Sequence, residues 1–516
     1  MHASTSRRAI GAAIAAAGLV LTVLPATAAS ADLGPGTTFY VDPASTTAQA
    51  AATLSGQARA DAQLLASIPS ATWFTRGTPA EVQAGVDALL DRSSAAHEVP
   101  VVVVYNLPYR DCSQYSAGGA ADTAAYEAWV DAVAAGIAGR EAVVIVEPDG
   151  LGIIPWYTTI NGELEWCQPA DADPATAASD RFAQLNHAVD VLTALPNTSV
   201  YLDGTHSAWL GVGDLTDRLI QAGVDRTDGF FLNASNYVQT ERLVKYGHWV
   251  SDCIRLDQNS WWQREWCGSQ YYPANPDDFS TWGLTDAAYD QAFADTGLSR
   301  DPAAQAHFVI DTSRNGQGPW TPPAGKYTDA EAWCNPPGAG LGRTPTTSTG
   351  DPLADAYLWI KVPGESDGRC YRGTAGPTDP ERGIVDPEAG QWFPQQAAEL
   401  IARAQPAVPR PGCDVEYLVN GTWPGGYNAQ LWITNTGTKA ITAWDVAWTF
   451  PAGQSVGNGW SATYTVVGGR QHARSLDWNT TIKPGERLTI GFIGATTGGA
   501  AEPLLFTLNG KGCTSS

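Results

Sequence analysis

Positive charge is what this chain has least of. Thirty Lys and Arg stand against 53 Asp and Glu, leaving a formal net charge of −23 over 516 residues. So acidic a surface excludes nucleic acid and anionic membranes as electrostatic partners, and it keeps an exported protein in solution. The eight cysteines show no Cys-x-x-Cys spacing and the seven histidines form no cluster, so no metal site is expected. Nothing in the sequence asks for a cofactor. Beyond the N-terminal segment no apolar run is long enough to span a bilayer. No internal repeat is present apart from a recurring strand-end punctuation described below.

What is present begins with Arg7 and Arg8, an apolar run from Ile10 to Leu24, and small residues through Ala29-Ser30-Ala31. That order reads as a secretory signal over residues 1–31, with cleavage near Asp32 and an extracellular destination. The Arg pair leaves both Sec and twin-arginine export open. An even cysteine count in an exported chain favours four disulfides. Twenty tryptophans are more than core filling suggests, and exposed indoles offer flat faces on which the apolar C–H surfaces of sugar rings stack.

The run Ala142-Val143-Val144-Ile145-Val146 is apolar, rich in β-branched residues and lacks a helical period, so it reads as a strand buried on both faces. It opens into Glu147-Pro148-Asp149. Upstream, Val101-Val102-Val103-Val104-Tyr105 runs into Asn106-Leu107-Pro108-Tyr109-Arg110-Asp111-Cys112. The segment between them puts Tyr126, Val130, Val133 and Ile137 on one helical face. Strand, helix, strand is a βαβ unit, and its right-handed crossover brings both strand ends to one edge. Asp111 and Asp149 are therefore expected in one cleft, and a carboxylate pair there suits acid/base work on a sugar bond.

The same punctuation recurs at Ala71–Phe74, Val200–Gly204, Phe230–Asn233, Phe308–Asp311 and Tyr357–Val362, which makes seven strand ends in all. Nearly every one carries polar residues or Trp, which favours a barrel with a central cleft over an open sheet. Two connections are unusually long. Tyr237 to Asp295 holds Cys253, Cys267 and Trp261-Trp262, and Gly368 to Gln391 holds Cys370. Both are expected as ordered loops that shape the groove. A Pro-rich linker, residues 405–412, follows the first domain, which spans 32–404. From Cys413 to Cys513 the chain turns to short alternating stretches broken by Gly and Asn. That is a small all-β sandwich, tied end to end by Cys413 and Cys513.

Along Val103–Cys112, Val143–Asp149, Asp203–Trp209, Ser235–Tyr237, Asp311–Gly316, Trp333–Asn335 and Lys361–Gly368 the chain resembles glycoside hydrolase family 6, cellulases that cut β-1,4-glucan with inversion. The stretches follow the family's order through the whole first domain. The resemblance implies a distorted seven-stranded parallel (β/α) barrel. It implies Asp149 as proton donor, Asp111 as the aspartate that repels it, and Asp367 as the residue usually proposed as base. Tyr105, which crowds the reacting ring, and Arg110 complete the catalytic set. Trp73, Trp209 and Trp333 would stack on sugars, while His206, Asn236, Lys361 and Glu365 would bind hydroxyls. Asp203 and Asp311 read equally well as structural. The family's cysteine positions imply Cys112–Cys167 and Cys334–Cys370, which leaves Cys253 with Cys267.

Trp423-Pro424-Gly425-Gly426, Gly459-Trp460 and Leu476-Asp477-Trp478-Asn479 resemble family 2 carbohydrate-binding modules. Trp423, Trp460 and Trp478 match that family's cellulose-binding face; Trp432, Trp444 and Trp448 read as core. The implied partners are cellulose and soluble β-1,4-glucan oligosaccharides, bound by a monomer. Two positions depart from the family-6 pattern. The Ser116 hydroxyl stands one position from the serine that holds the catalytic water in many members. Val212 replaces a second, distal tryptophan, which argues against a long tunnel. The preferred expectation is an endoglucanase, with a cellobiohydrolase as the alternative and a non-catalytic cellulose-binding protein as the second.

Overall fold

In the computed structural model, which describes residues 33–515 apart from positions 410 and 452, seven short strands pair in chain order. They are β1 (Thr72–Phe74), β2 (Val101–Val104), β3 (Ala142–Val146), β4 (Thr198–Asp203), β5 (Gly229–Leu232), β6 (His307–Asp311) and β7 (Ala354–Leu358). All six pairings are parallel. The secretory signal expected over 1–31 lies outside the described residues. No helix among the described residues is long and apolar enough to cross a membrane.

Strand alternation sorts the side chains into two cores. Val103, Ile145, Tyr201, Phe231, Val309 and Leu358 point to the barrel interior. Their neighbours Val102, Val144, Val200, Phe230 and Ile310 face the helical layer. Burial on both faces explains why these strands read as continuous apolar runs. The helix Thr123–Ile137 between β2 and β3 starts at Asp122, whose side chain accepts from the Ala125 amide. Its Tyr126, Val130, Val133 and Ile137 are all buried, as the helical period predicts. At the seam between β1 and β7 the Ala71 amide donates to the Trp359 carbonyl over 2.9 Å, so the curled sheet nearly closes.

Two expectations about the first domain needed correction. Of the run Tyr357–Val362 only Tyr357 and Leu358 are strand, because β7 ends at Leu358. Beyond it the amides of Ile360 and Lys361 leave the ladder and donate to the Asp311 carboxylate, at 3.2 and 3.0 Å. A side chain has taken over the role of the neighbouring strand. The connection from Tyr237 to Asp295 is not a plain loop, because it folds into helices Thr240–Asn259 and Gly283–Thr296. Leu243, Tyr246, Val250, Cys253 and Ile254 form the buried face of the first, a period masked by the polar residues between them. Gly368 to Gln391 does stay irregular.

The C-terminal domain is built of antiparallel sheets. Cys413–Trp423, Gly426–Asn435, Arg487–Thr496 and Gln454–Trp460 make one; the other centres on Asp445–Trp448 and Arg470–Arg474. Trp444 and Trp448 are core, packed with Tyr427, Ile490 and Phe492. Trp432 is not: it lies half-buried on the outer face with the Arg487 guanidinium 4.8 Å above its ring. The eight cysteines pair as Cys112–Cys167, Cys253–Cys267, Cys334–Cys370 and Cys413–Cys513.

Asp311 is fully buried and also accepts from the Ser235 and Ser313 amides, at 3.0 and 2.9 Å. Asp311→Ala would leave four backbone donors unpaired, two of them buried, and we expect a loss of about 3 kcal/mol or more. Urea titration of the variant checks this; an unchanged midpoint would contradict the role given to this carboxylate.

Candidate active site

A parallel barrel collects its strand ends on one rim, and here that rim is built from unusual backbone. Tyr109, Asp111 and Cys112 after β2, Glu147 and Asp149 after β3, Thr205 after β4, and Asn233 and Ser235 after β5 all have φ between +45° and +70°. Left-handed backbone costs a non-glycine residue about 1 kcal/mol, and such costs concentrate where geometry serves function. Two buried carboxylates hold the turns in shape. Glu147 accepts from the Asn106 and Leu107 amides (2.9 and 3.2 Å), locking the end of β3 to the end of β2. Asp203 accepts from the Leu151 and Gly152 amides, both at 3.1 Å, and so fixes the loop that follows Asp149. Of the two aspartates read either way from sequence, Asp203 and Asp311, both are buried and take up backbone N–H groups.

These loops surround a cavity of about 570 Å³. Asp111, Asp149, Asp367 and Tyr105 all line it, with Trp73, Trp209, Trp333, His206, Asn236 and Lys361. Arg110 and Glu365 do not. The Arg110 guanidinium lies 4.6 Å from the Tyr105 ring centroid and donates to the carbonyls of Thr75, Tyr105 and Ser116, so it pins the loop that carries Asp111. Glu365 accepts from the Thr46 hydroxyl. Ser116 lines the cavity and its amide donates to Asp111 Oδ2 over 2.7 Å.

The three aspartates have opposite electrostatic fates. Burial raises the Asp149 carboxyl well above the usual range, and Asp203, Asp111 and Asp367 push the same way. No side chain or amide among the described residues hydrogen-bonds that carboxyl. Asp111 is raised to about 6 by burial, against the pull of the Ser116 amide and Arg110. Asp367 is buried too, but Arg314, Lys361 and hydrogen bonds overcome that and hold it below the ordinary value. Its Oδ2 accepts from Arg314 Nη1 (2.9 Å), the Asn335 amide (3.0 Å) and the Tyr237 hydroxyl (3.1 Å), and Lys361 Nζ stands 3.4 Å from Oδ1. Arg314 and Tyr237, which both donate to Asp367, are residues that sequence reading left without a role. Both lie inside quoted motif stretches, but only contact shows what they do.

Aromatic placement depends on what lies beneath each ring. Trp209 rests on Gly152, where an added Cβ would come 2.4 Å from the indole. Trp73 is anchored by its Nε1 donating to the Ile360 carbonyl (2.7 Å) and meets Tyr105 edge-on. Trp333 leans on Tyr115. Burial lowers His206 to about 4, so its imidazole is neutral. Its Nδ1 accepts from the Ala208 amide, which puts the ring proton on Nε2. In the C-terminal domain Trp423, Trp460 and Trp478 are 47%, 41% and 71% exposed. Trp423 lies over Gly426 and Trp460 over Gly491, where a Cβ would stand 2.5 and 2.1 Å from the rings. Asn479 bonds the Ser461 carbonyl, holding the Trp478 turn beside the end of the Trp460 strand.

For a metal, the described residues offer only Cys370, Asp379 and Asp386 within 4.8 Å of one another. The Cys370 sulfur is committed to Cys334 and Asp379 to Arg372, so the group is no ready ligand set.

Residues 35–404 match the family model for glycosyl hydrolases family 6. The chain belongs to glycosyl hydrolase family 6. A second model, the cellulose binding domain, matches residues 413–513 of this family 6 hydrolase. It is similar to endoglucanase A of Thermobispora bispora, 32% identical over 95% of each chain. Endoglucanase 1 of Streptomyces halstedii is 33% identical, over 70% of this chain and 88% of its own. Among solved structures, the endoglucanase Cel6 from Mycobacterium tuberculosis, in complex with a thio-linked methyl cellobiosyl-cellobioside, is 34% identical with a TM-score of 0.53. The match covers 72% of this chain and 99% of that one.

Proposed function

We propose that this hydrolase is a secreted cellulase that cuts β-1,4-glucosidic bonds within cellulose chains and inverts the anomeric centre. The observation that carries the reading is the contrast across one cavity between Asp149, whose carboxyl is raised by burial and by neighbouring carboxylates, and Asp367, whose carboxylate accepts from Arg314, Asn335 and Tyr237 and is held low. Inversion requires that division: one group donates to the departing oxygen while the other takes up a proton from water arriving on the opposite ring face. Asp149 is the donor. Once it has given up its proton it is an anion among anions, so the repulsion from Asp203, Asp111 and Asp367 favours its reprotonation. Asp367 serves as base, directly or through a water. Tyr105, packed between Trp73 and Arg110, crowds the ring at the centre. Trp73, Trp209 and Trp333 stack sugars; neutral His206 donates from Nε2 and Lys361 from Nζ. The exposed Trp423, Trp460 and Trp478 hold the enzyme on cellulose, raising its local concentration at an insoluble surface.

End-wise cutting is the second reading, and one contact favours it. Tyr115, on the loop after β2, packs on Trp333 and Tyr371, and its hydroxyl donates to Glu331 over 2.8 Å. Three loops therefore touch near Asp111 and partly enclose the cavity. Cutting of a soluble cellulose derivative separates the two. Internal cuts give a steep early fall in viscosity per reducing end released; slow viscosity loss with cellobiose accumulating would establish the end-wise reading.

Asp149→Ala is expected to lower hydrolysis of amorphous cellulose by at least about 10³-fold, since the general acid is gone, while adsorption to cellulose stays intact. A wild type without hydrolysis would leave only the cellulose-binding protein. The pH profile should be a bell. Activity falls on the acid side as Asp367 takes a proton and on the alkaline side as Asp149 loses one. Tyr237→Phe removes one hydrogen bond from ionised Asp367, so the acid limb should move up by about half a pH unit or more while the alkaline limb stays. Movement of the alkaline limb alone would reverse the assignment.

A further inference from the structure

Three tryptophans of the segment after helix Thr240–Asn259 form a cluster that the cavity does not include. The Trp262 ring is 5.8 Å from Trp261 and 5.7 Å from Trp266. Trp262 is the anchor, half-buried against the main core. Its neighbours fill no core: Trp261 is 59% and Trp266 51% exposed. The segment is nonetheless held firmly. Cys267 is bonded to Cys253 of the helix, and Arg264 pairs with Asp217 at 2.9 Å and Asp257 at 2.8 Å.

Two contacts tie the segment that carries the cluster to the groove wall beside Trp209. Tyr271, itself exposed, donates its hydroxyl to the Trp209 carbonyl over 2.9 Å. At Gly213, just beyond Trp209, an added Cβ would stand 2.4 Å from the Arg264 carbonyl oxygen and 3.6 Å from Ile160. The Trp261–Trp266 segment and the loop leading to Trp166 thus share one seat. Trp166 lines the cavity and is half exposed.

We propose that Trp261 and Trp266 form an outlying carbohydrate site, an aromatic apron that takes the part of a β-1,4-glucan chain extending past Trp209. The inference rests on the reading of the groove as a glucan site and adds to it a length requirement. Exposed, rigidly mounted indoles present apolar faces in a preformed geometry, which suits the C–H faces of a sugar chain and lowers the ordering cost of binding. Trp209 and Trp166 feed the chain onto the apron, so it contributes only to oligosaccharides long enough to reach it.

The test uses the full-length chain carrying Asp149→Asn to stop turnover and Ala at Trp423, Trp460 and Trp478 to silence the C-terminal face. Cellohexaose and cellotriose are titrated calorimetrically. Adding Trp261→Ala and Trp266→Ala is expected to weaken cellohexaose about tenfold and to leave cellotriose unmoved; Trp261→Tyr with Trp266→Tyr should restore most of the loss. Equal weakening of both sugars, or of neither, overturns the apron while the groove keeps its ligand. No binding of either sugar by the parent chain would instead remove the glucan reading of the groove itself.

Discussion

Two aspartates in one cavity have nearly the same intrinsic acidity, close to 4, yet burial raises Asp149 well above that value while Asp367 is held below it. The difference comes from an unequal distribution of hydrogen-bond donors. Asp367 has a guanidinium, a backbone amide, a phenol and a nearby ammonium. Asp149 has buried surroundings and three other carboxylates. A charge removed from water is tolerated only where donors replace the water. The rest of the catalytic domain can be read as the scaffold that delivers those donors to one carboxylate and withholds them from the other.

That scaffold explains features which otherwise look wasteful. The strand ends carry left-handed non-glycine residues, and buried Glu147, Asp203 and Asp311 spend their carboxylates on backbone amides. Each such brace fixes a turn that hydrogen bonding within the sheet no longer reaches. Asn335 shows the same economy on the Asp367 side. Its amide donates to Asp367, its Oδ1 accepts from the Asp367 amide, and its Nδ2 reaches Ser366, Gly368 and Asp386. The Cys334–Cys370 bond ties the two segments together beside it. Glycine plays the complementary part under the aromatic rings: Gly152 beneath Trp209, and Gly426 and Gly491 beneath the module's indoles, let flat rings lie on backbone.

Much of this was legible before folding. The β-branched runs announced the strands, the period of Tyr126, Val130, Val133 and Ile137 announced the crossover helix, and ten of the twelve residues expected in the groove line the cavity, all but Trp73 from the matched motifs. What failed to show was local. The end of β7 was misread because a side chain, Asp311, displaced the ladder. The helix Thr240–Asn259 was missed because its apolar face is diluted by polar neighbours. Trp432 resembled a core residue because alternation cannot tell which face of an outer strand is covered.

The residue types at the strand ends, their order along the chain and their placement on one rim were decided by the sequence alone, since a parallel βα repeat with right-handed crossovers leaves its loops no other edge. Which aspartate holds a proton was not. That depends on Arg314, Tyr237 and Asn335 reaching Asp367 from other loops, and a pKa is set by the groups within a few ångströms, whatever their distance along the chain.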